Sequence, residues 1–132
     1  MIKVVFYSPK GKEKEYECEE LRIADKKYGS FGVLENHVPV ISVIIEGYMS
    51  IKGKNICEYV SMLDAVFDFK NNEASIIAEE LAYGDSLDEA MQNISEKIEK
   101  RRNENRERNV ELALAENELK KQIKKIGASN IK

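Results

Sequence analysis

Histidine and cysteine are the residue types best suited to catalysis or metal binding, and this chain has few of them. His37 is the only histidine, and Cys18 and Cys57 are the only cysteines. A structural zinc site needs four such ligands at characteristic spacings, so these three residues do not predict one. Two cysteines are also too few for a disulfide framework, and we expect both to be buried free thiols. His37 has no evident catalytic partner, which favours a structural or interface role.

The composition excludes one class of function and divides the chain into two parts. The 132 residues carry a net charge of −3, which excludes a generally basic protein that coats nucleic acid. Charged residues make up 34%, above the roughly 25% of an average domain, and the excess lies in the second half. No apolar run approaches the ~20 residues of a membrane span, and no signal peptide is recognisable. We therefore expect a soluble protein, cytoplasmic or peripheral on the cytoplasmic side.

Residues 1–84 have the pattern of short strands separated by turns. Ile2–Ser8 is rich in β-branched and aromatic residues, and the almost continuously apolar stretch Val38–Ile45 predicts a strand buried on both sides. The apolar positions shift from even to odd between Glu19 and Leu21, which indicates a bulge or break. Glu46-Gly47 predicts a turn. The whole pattern favours an all-β sandwich or barrel of about eight to ten short antiparallel strands.

The segment Gly29–Ile41 combines two glycines, a proline and His37. Its residues predict a strand, a shaped loop and a second strand that starts at Val38. The segment resembles the epsilon subunit of F-type ATP synthase, where the corresponding stretch is typically Gly-Glu-(Phe/Leu)-Gly-(Val/Ile)-(Leu/Tyr)-Pro-Gly-His-x-Pro-Leu. Ser30, Glu35 and Asn36 depart from that pattern. The residues that match it in order are Gly29, Phe31, Gly32, Val33, Leu34, His37 and Pro39.

Residues 85–132 have the periodicity of amphipathic helices. Ser86 followed by Glu89 forms a capping box. Two apolar stripes follow at steps of three and four, separated by a fully polar stretch at 103–109, and Gly127 is placed as a helix stop. With no proline or glycine at 103–109, the chain can fold back or continue as one long helix. The stripes are Leu87, Ala90, Met91, Ile94 and Ile98, and then Leu112, Ala115, Leu119, Ile123 and Ile126.

The resemblance extends to both parts and implies a different function for each. It implies a sandwich at 1–84 that binds the central gamma stalk and the membrane rotor ring, and an antiparallel two-helix hairpin at 85–132 that acts as a regulatory arm. The resemblance is weaker after Tyr59-Val60-Ser61, where Met62 and Leu63 replace two family glycines. The predicted rotor contact consists of Gly29, Phe31, Gly32 and His37.

The arm ends in a basic stretch without acids. A solvated helix end explains such a stretch, since lysines suit the negative end of the helix dipole. The resemblance implies instead a contact with an acidic segment of the alpha/beta catalytic head. Nucleic acid is a poor partner, because no aromatic residue lies beyond Tyr83 to stack on bases. The predicted arm contact consists of Lys120, Lys121, Lys124 and Lys125.

Some bacterial epsilon subunits bind ATP through an (Ile/Leu)-Asp-x-x-Arg-Ala motif at the first helix. Leu87 and Asp88 match it, but Met91 and Gln92 replace the arginine and alanine. Without that arginine the phosphates lose a charge-assisted donor, so we expect weak or absent nucleotide binding and no cofactor.

The resemblance therefore implies a non-catalytic epsilon subunit of a proton- or sodium-translocating ATP synthase. It would lie on the cytoplasmic face of the cell membrane and inhibit ATP hydrolysis through its C-terminal helices. One alternative is a small β-domain with a self-associating helical tail, which acts as an interaction module. Another is an enzyme that uses His37 with a nearby carboxylate, although no substrate suggests itself.

Overall fold

The computed structural model describes the backbone of residues 1–130 and the side chains of residues 1–124. A β-sandwich of seven strands comes first, which confirms the predicted fold of the N-terminal part with fewer strands than expected. One helix, α1 (Leu87–Asn130), follows. The strands are β1 (Ile2–Ser8), β2 (Gly11–Cys18), β3 (Glu20–Asp25), β4 (Gly29–Leu34), β5 (Val40–Lys52), β6 (Cys57–Lys70) and β7 (Glu73–Gly84).

The strands are hydrogen-bonded in the order β2-β1-β7-β6-β5-β3-β4. All neighbouring pairs are antiparallel except β1 and β7, which run parallel. The prediction of purely antiparallel strands is therefore only partly correct. Turn signals reveal pairs that follow one another along the chain, whereas the β1–β7 pair joins the first strand to the last.

Two long strands account for the smaller strand count. β5 runs through the predicted turn at Glu46-Gly47, so that prediction is wrong. A Cβ atom on Gly47 would lie 2.1 Å from the carbonyl oxygen of Ala24 in β3, so glycine here permits close strand pairing rather than a turn. β6 is likewise long, and Met62 and Leu63, which stand where the family has glycines, lie within it.

The predicted break near residue 19 is confirmed, because β2 ends at Cys18 and β3 begins at Glu20. The core of the sandwich is built from aliphatic and aromatic side chains, of which Phe6, Phe67 and Phe69 are the largest. Cys18 is buried in this core as expected, but Cys57 is exposed at the start of β6. The prediction of two buried thiols is therefore half correct.

The helical part is one continuous helix instead of the predicted antiparallel two-helix hairpin. Ser86 accepts a hydrogen bond from the amide of Glu89, so the helix begins at the predicted cap. No proline or glycine interrupts the chain between Leu87 and Ile126, and the helix also continues through Gly127. The compact unit that contains the sandwich extends to Lys97, and a second unit starts at Ile98.

Candidate interaction surfaces

The His37 loop connects β4 to β5 and is tied down by short hydrogen bonds. Asn36 has a φ of 65°, and its amide and side chain bond to the side chain of Asn72 at 2.6 and 3.1 Å. His37 Nδ1 lies 2.7 Å from the carbonyl oxygen of Val38, which can only accept, so this nitrogen carries the proton. The imidazole packs edge-on against Phe69. This arrangement supports the structural role expected for the half-buried His37.

The four residues of the predicted rotor contact do not converge on one patch. Gly29 begins β4 with a φ of 94°, whereas His37 lies beyond the other end of that strand. The strand alone separates these ends by roughly 16 Å. Phe31 is half-buried with its ring 5.9 Å from Phe67, so it belongs to the core packing. Gly32 is exposed on this outermost strand.

An apolar surface that sequence analysis missed crosses the outer face of the sheet. Val43, Val66 and Ile77 face one another across β5, β6 and β7, and Tyr7 continues the row on β1. Val43 and Ile77 are each 60% exposed. We call this surface the outer ridge and include in it the exposed neighbours on β5, Ile41 and Ile45.

The outer ridge corrects the prediction that β5 is buried on both faces. Ile41 is 72% exposed and Val43 60% exposed, whereas Ile44 is fully buried. A continuous apolar run cannot distinguish a strand covered on both faces from one whose second face is an exposed apolar surface. Scattered apolar residues are normal on a surface, but a contiguous group marks an interaction site. Asp68 and Lys70 follow Val66 on the same face of β6, so the border of the ridge carries both signs of charge.

The predicted arm contact lies on α1 beyond Lys97. Lys120, Lys121 and Lys124 are exposed, and the side chain of Lys125 lies outside the described residues. At about 100° per residue, the three lysines lie roughly 100° to 200° around the helix from Leu119. Leu119 itself is exposed, as are the other described large members of its stripe, Leu112 and Ile123. The helix thus carries an apolar stripe and a separate basic face.

The remnant of the nucleotide motif lies in the first turn of α1. Leu87 is half-buried, and Asp88 and Met91 are exposed. The carboxylate of Glu89 accepts a hydrogen bond from the amide of Asp85, so it takes part in capping. The described residues from Leu87 to Gln92 place no arginine or lysine where the family motif has its phosphate donor.

Two tyrosines of the sandwich donate hydrogen bonds to carboxylates on other strands. Tyr83 donates to Glu13 at 2.8 Å, and Tyr16 donates to Glu58 at 2.7 Å. Burial, and next the bond to the carboxylate, raises the pKa of both phenols. Lys14 lies 4.4 Å from the centre of the Tyr83 ring, a distance typical of a cation–π contact. These contacts are structural and present no open site.

The described residues contain no cluster of three or more histidine, cysteine or acidic side chains that could hold a metal ion. Among the same residues, no helix is both long and apolar enough to cross a membrane.

Comparison with known proteins identifies the family. Residues 1–83 match the β-sandwich domain of the ATP synthase delta/epsilon chain. ATP synthase epsilon chains from Staphylococcus aureus strains JH9 and Newman are each 20% identical over 125 residues, which cover 95% of this chain and 93% of theirs.

One solved structure shares the fold of part of this chain. It is a chain from the central stalk and c-ring of the Tetrahymena thermophila mitochondrial ATP synthase, with a TM-score of 0.50 and 13% identity. The match covers 61% of this chain and 64% of that one. Because the family match covers more than half of the sequence, and the resemblance of the Gly29–Pro39 segment agrees with it, this chain belongs to the ATP synthase delta/epsilon family.

Proposed function

We propose that this chain is the epsilon subunit of an F-type ATP synthase that couples the central stalk to the rotor ring and restrains ATP hydrolysis through its helix. Family membership supports the subunit assignment. The observation that carries the coupling role is the outer ridge, because a large exposed apolar surface on a small β-domain requires a partner. The subunit performs no chemistry itself.

In this proposal the outer ridge docks on the gamma subunit. The apolar row spans four neighbouring strands, so it offers a continuous contact about 14 Å wide at the usual strand spacing. The β3–β4 and β4–β5 connections, which contain Lys27 and His37, lie at the two ends of β4 and provide further contacts with the rotor ring. The assembly would hold the chain peripherally at the cytoplasmic face of the membrane.

The test is a pull-down from native membranes with the full chain as bait and mass spectrometry as the readout. Val66→Glu places a charge in the centre of the ridge, and we expect it to weaken gamma binding by about 2–4 kcal/mol, or roughly 30-fold to 1,000-fold. Met91→Glu is the matched control, because Val66 and Met91 are both 42% exposed. Equal recovery of gamma and the catalytic subunits by the two variants would contradict ridge docking.

The exposed stripe of α1 favours a second candidate, the interaction module with a self-associating tail. Leu112, Leu119 and Ile123 are 58%, 58% and 59% exposed, respectively. Sedimentation velocity of the full chain separates the two candidates. A stable dimer that Leu119→Asp dissociates, together with no recovery of ATP synthase subunits, would replace the epsilon proposal.

A further inference from the structure

The central strand β6 changes its buried face partway along its length. Side chains alternate between the two faces of a strand, so a change of buried face requires two successive residues to face the same way. On β6 these two residues are Leu63 and Asp64, neither of which is buried. The core residues on the two sides of them occupy even and then odd positions: Val60 and Met62, followed by Ala65, Phe67 and Phe69.

Both neighbours of β6 change face at the same level of the sheet. Neither Ile45-Glu46 on β5 nor Glu79-Glu80 on β7 is buried. The strand register is nevertheless the same before and after the change, since Ile44 pairs with Ala65 and Glu46 pairs with Leu63. The pairs between β6 and β7 keep their register in the same way. The three strands therefore bend together, and we call the six residues 45–46, 63–64 and 79–80 the corner.

One residue of the corner has an unusual backbone conformation. Asp64 has a φ of 48°, in the left-handed region. The other described non-glycine residues with a positive φ (Asn36, Asn71 and Asn72) lie between strands, whereas Asp64 lies inside one. Most side chains disfavour this conformation, but aspartate and asparagine tolerate it. Because β6 contains no glycine, the change of face on this strand depends on Asp64.

The corner allows one side of the sheet to have two different surfaces. On one side of the corner the outward residue of β6 is Val66, in the centre of the outer ridge. On the other side it is Ser61, whose hydroxyl donates to the carbonyl oxygen of Ala90 in α1 at 2.5 Å. If alternation continued without the corner, Met62 would follow Val66 to the outside and Ser61 would point into the core.

We propose that Asp64 is the positioning residue of the corner, and that its left-handed backbone directs Val66 outward and Ser61 towards the helix. The role of Asp64 follows from contacts and backbone geometry within this chain. The consequence for binding, that the corner orients the outer ridge towards the gamma subunit, rests on the proposed function.

The first experiment compares substitutions at two exposed aspartates of β6 by urea denaturation of the full chain. Asp64→Val places a β-branched residue in a left-handed conformation and should lower the folding equilibrium constant roughly 5-fold to 30-fold. Asp64→Asn and Asp64→Gly tolerate that conformation and should change the constant by no more than about twofold. Retention of stability by Asp64→Asn would also show that the backbone, and not the carboxylate charge, is what matters.

Asp68 provides the matched control, because it is an exposed aspartate on the same strand with an ordinary φ. The order of the variants should be opposite there. Asp68→Val should cost no stability, whereas Asp68→Gly should lower the folding equilibrium constant roughly twofold to fivefold. An equal effect of valine at the two positions, or an Asp64→Asn variant as unstable as Asp64→Val, would overturn the role of Asp64.

The second experiment measures recovery of gamma from native membranes with each variant as bait, under conditions where circular dichroism shows the bait to be folded. We expect Asp64→Val to recover roughly tenfold less gamma than Asp64→Asn, since the ridge is displaced. Equal recovery by these two variants would overturn the link between the corner and docking. If the stability pattern holds but the wild-type chain recovers no gamma, the corner stands and the proposed function fails.

Discussion

At the residue scale, the described groups with the most strongly raised pKa values are a buried thiol and two half-buried phenols. Burial raises the pKa of the Cys18 thiol to about 11, and burial also raises the pKa of Tyr16 and Tyr83. Backbone hydrogen bonds, first from Lys27 and then from Ile45, lower the pKa of Asp25. Perturbed pKa values therefore report packing of the sandwich here.

These raised pKa values predict loss of stability in alkali. The unfolded thiol ionises near 9 and the unfolded phenols near 10, whereas the folded groups hold their protons at higher pH. Unfolding therefore releases protons, and the free energy of unfolding should fall as the pH rises above 9. Urea denaturation at pH 8 and at pH 10.5 measures this fall.

The Tyr16→Phe/Tyr83→Phe variant supplies the control for alkaline unfolding. It removes both phenol protons, so its stability should depend less on pH than that of the wild-type chain over this range. Tyr28→Phe, at a phenol that is 68% exposed, is the matched control for the loss of a tyrosine hydroxyl. An identical pH dependence in the double variant and the wild type would contradict the prediction.

At the scale of elements, the boundary between sheet and helix is the informative feature. The sequence pattern places the division at Gly84, and the predicted domains are 1–84 and 85–132. The contacts of Ala90 and Ile94 carry the compact unit to Lys97. Periodicity identifies the apolar face of a helix but not the surface that covers it, so this extension was not visible in the sequence.

The buried residues in the first turns of α1 predict different outcomes for two truncations. A chain that ends after Lys97 should retain the stability of the sandwich. A chain that ends after Gly84 loses buried Ala90 and Ile94 and should be less stable by about 2–4 kcal/mol. Urea denaturation followed by circular dichroism compares the two. Equal denaturation midpoints would mean that residues 85–97 add nothing to the stability of the sandwich.

At the scale of the whole molecule, the distribution of surfaces matches a protein with several partners. The outer ridge is apolar, and the arm carries a basic face at Lys120, Lys121 and Lys124. Each surface lies in a different compact unit. In the proposed function the ridge contacts the gamma subunit, whereas the resemblance implies that the lysines contact the alpha/beta catalytic head.

Replacement of Lys120, Lys121 and Lys124 with glutamate should raise the rate of ATP hydrolysis by the assembled enzyme. Exposed ion pairs are individually weak, so their combined loss should amount to roughly 1 kcal/mol, or about fivefold in the population of the inhibited state. The matched control replaces the exposed lysines Lys10, Lys52 and Lys54 with glutamate and changes the net charge equally. Similar rates for both triple variants would contradict a contact specific to the arm.

The family and the β-architecture were accessible from the sequence, because the Gly29–Pro39 motif and the turn signals are local patterns. The capping box at Ser86 and the break near Glu19 were accessible for the same reason. A local pattern also gave a wrong prediction at Gly47. Glycine is typical of turns, but here it is needed because the carbonyl oxygen of Ala24 in β3 leaves no room for a side chain.

Only the tertiary structure decided which apolar residues remain exposed and which helical residues are buried. Val43, Val66 and Ile77 come from three separate strands and form the outer ridge through their register. The side chains of Asn93 and Lys97 donate hydrogen bonds to β7 only because the carbonyl oxygens of Tyr83 and Leu81 lie within reach. The physical reason is the same in both cases. Hydrophobicity and hydrogen-bonding capacity are properties of a residue, whereas burial and partners depend on contacts between residues far apart in the chain.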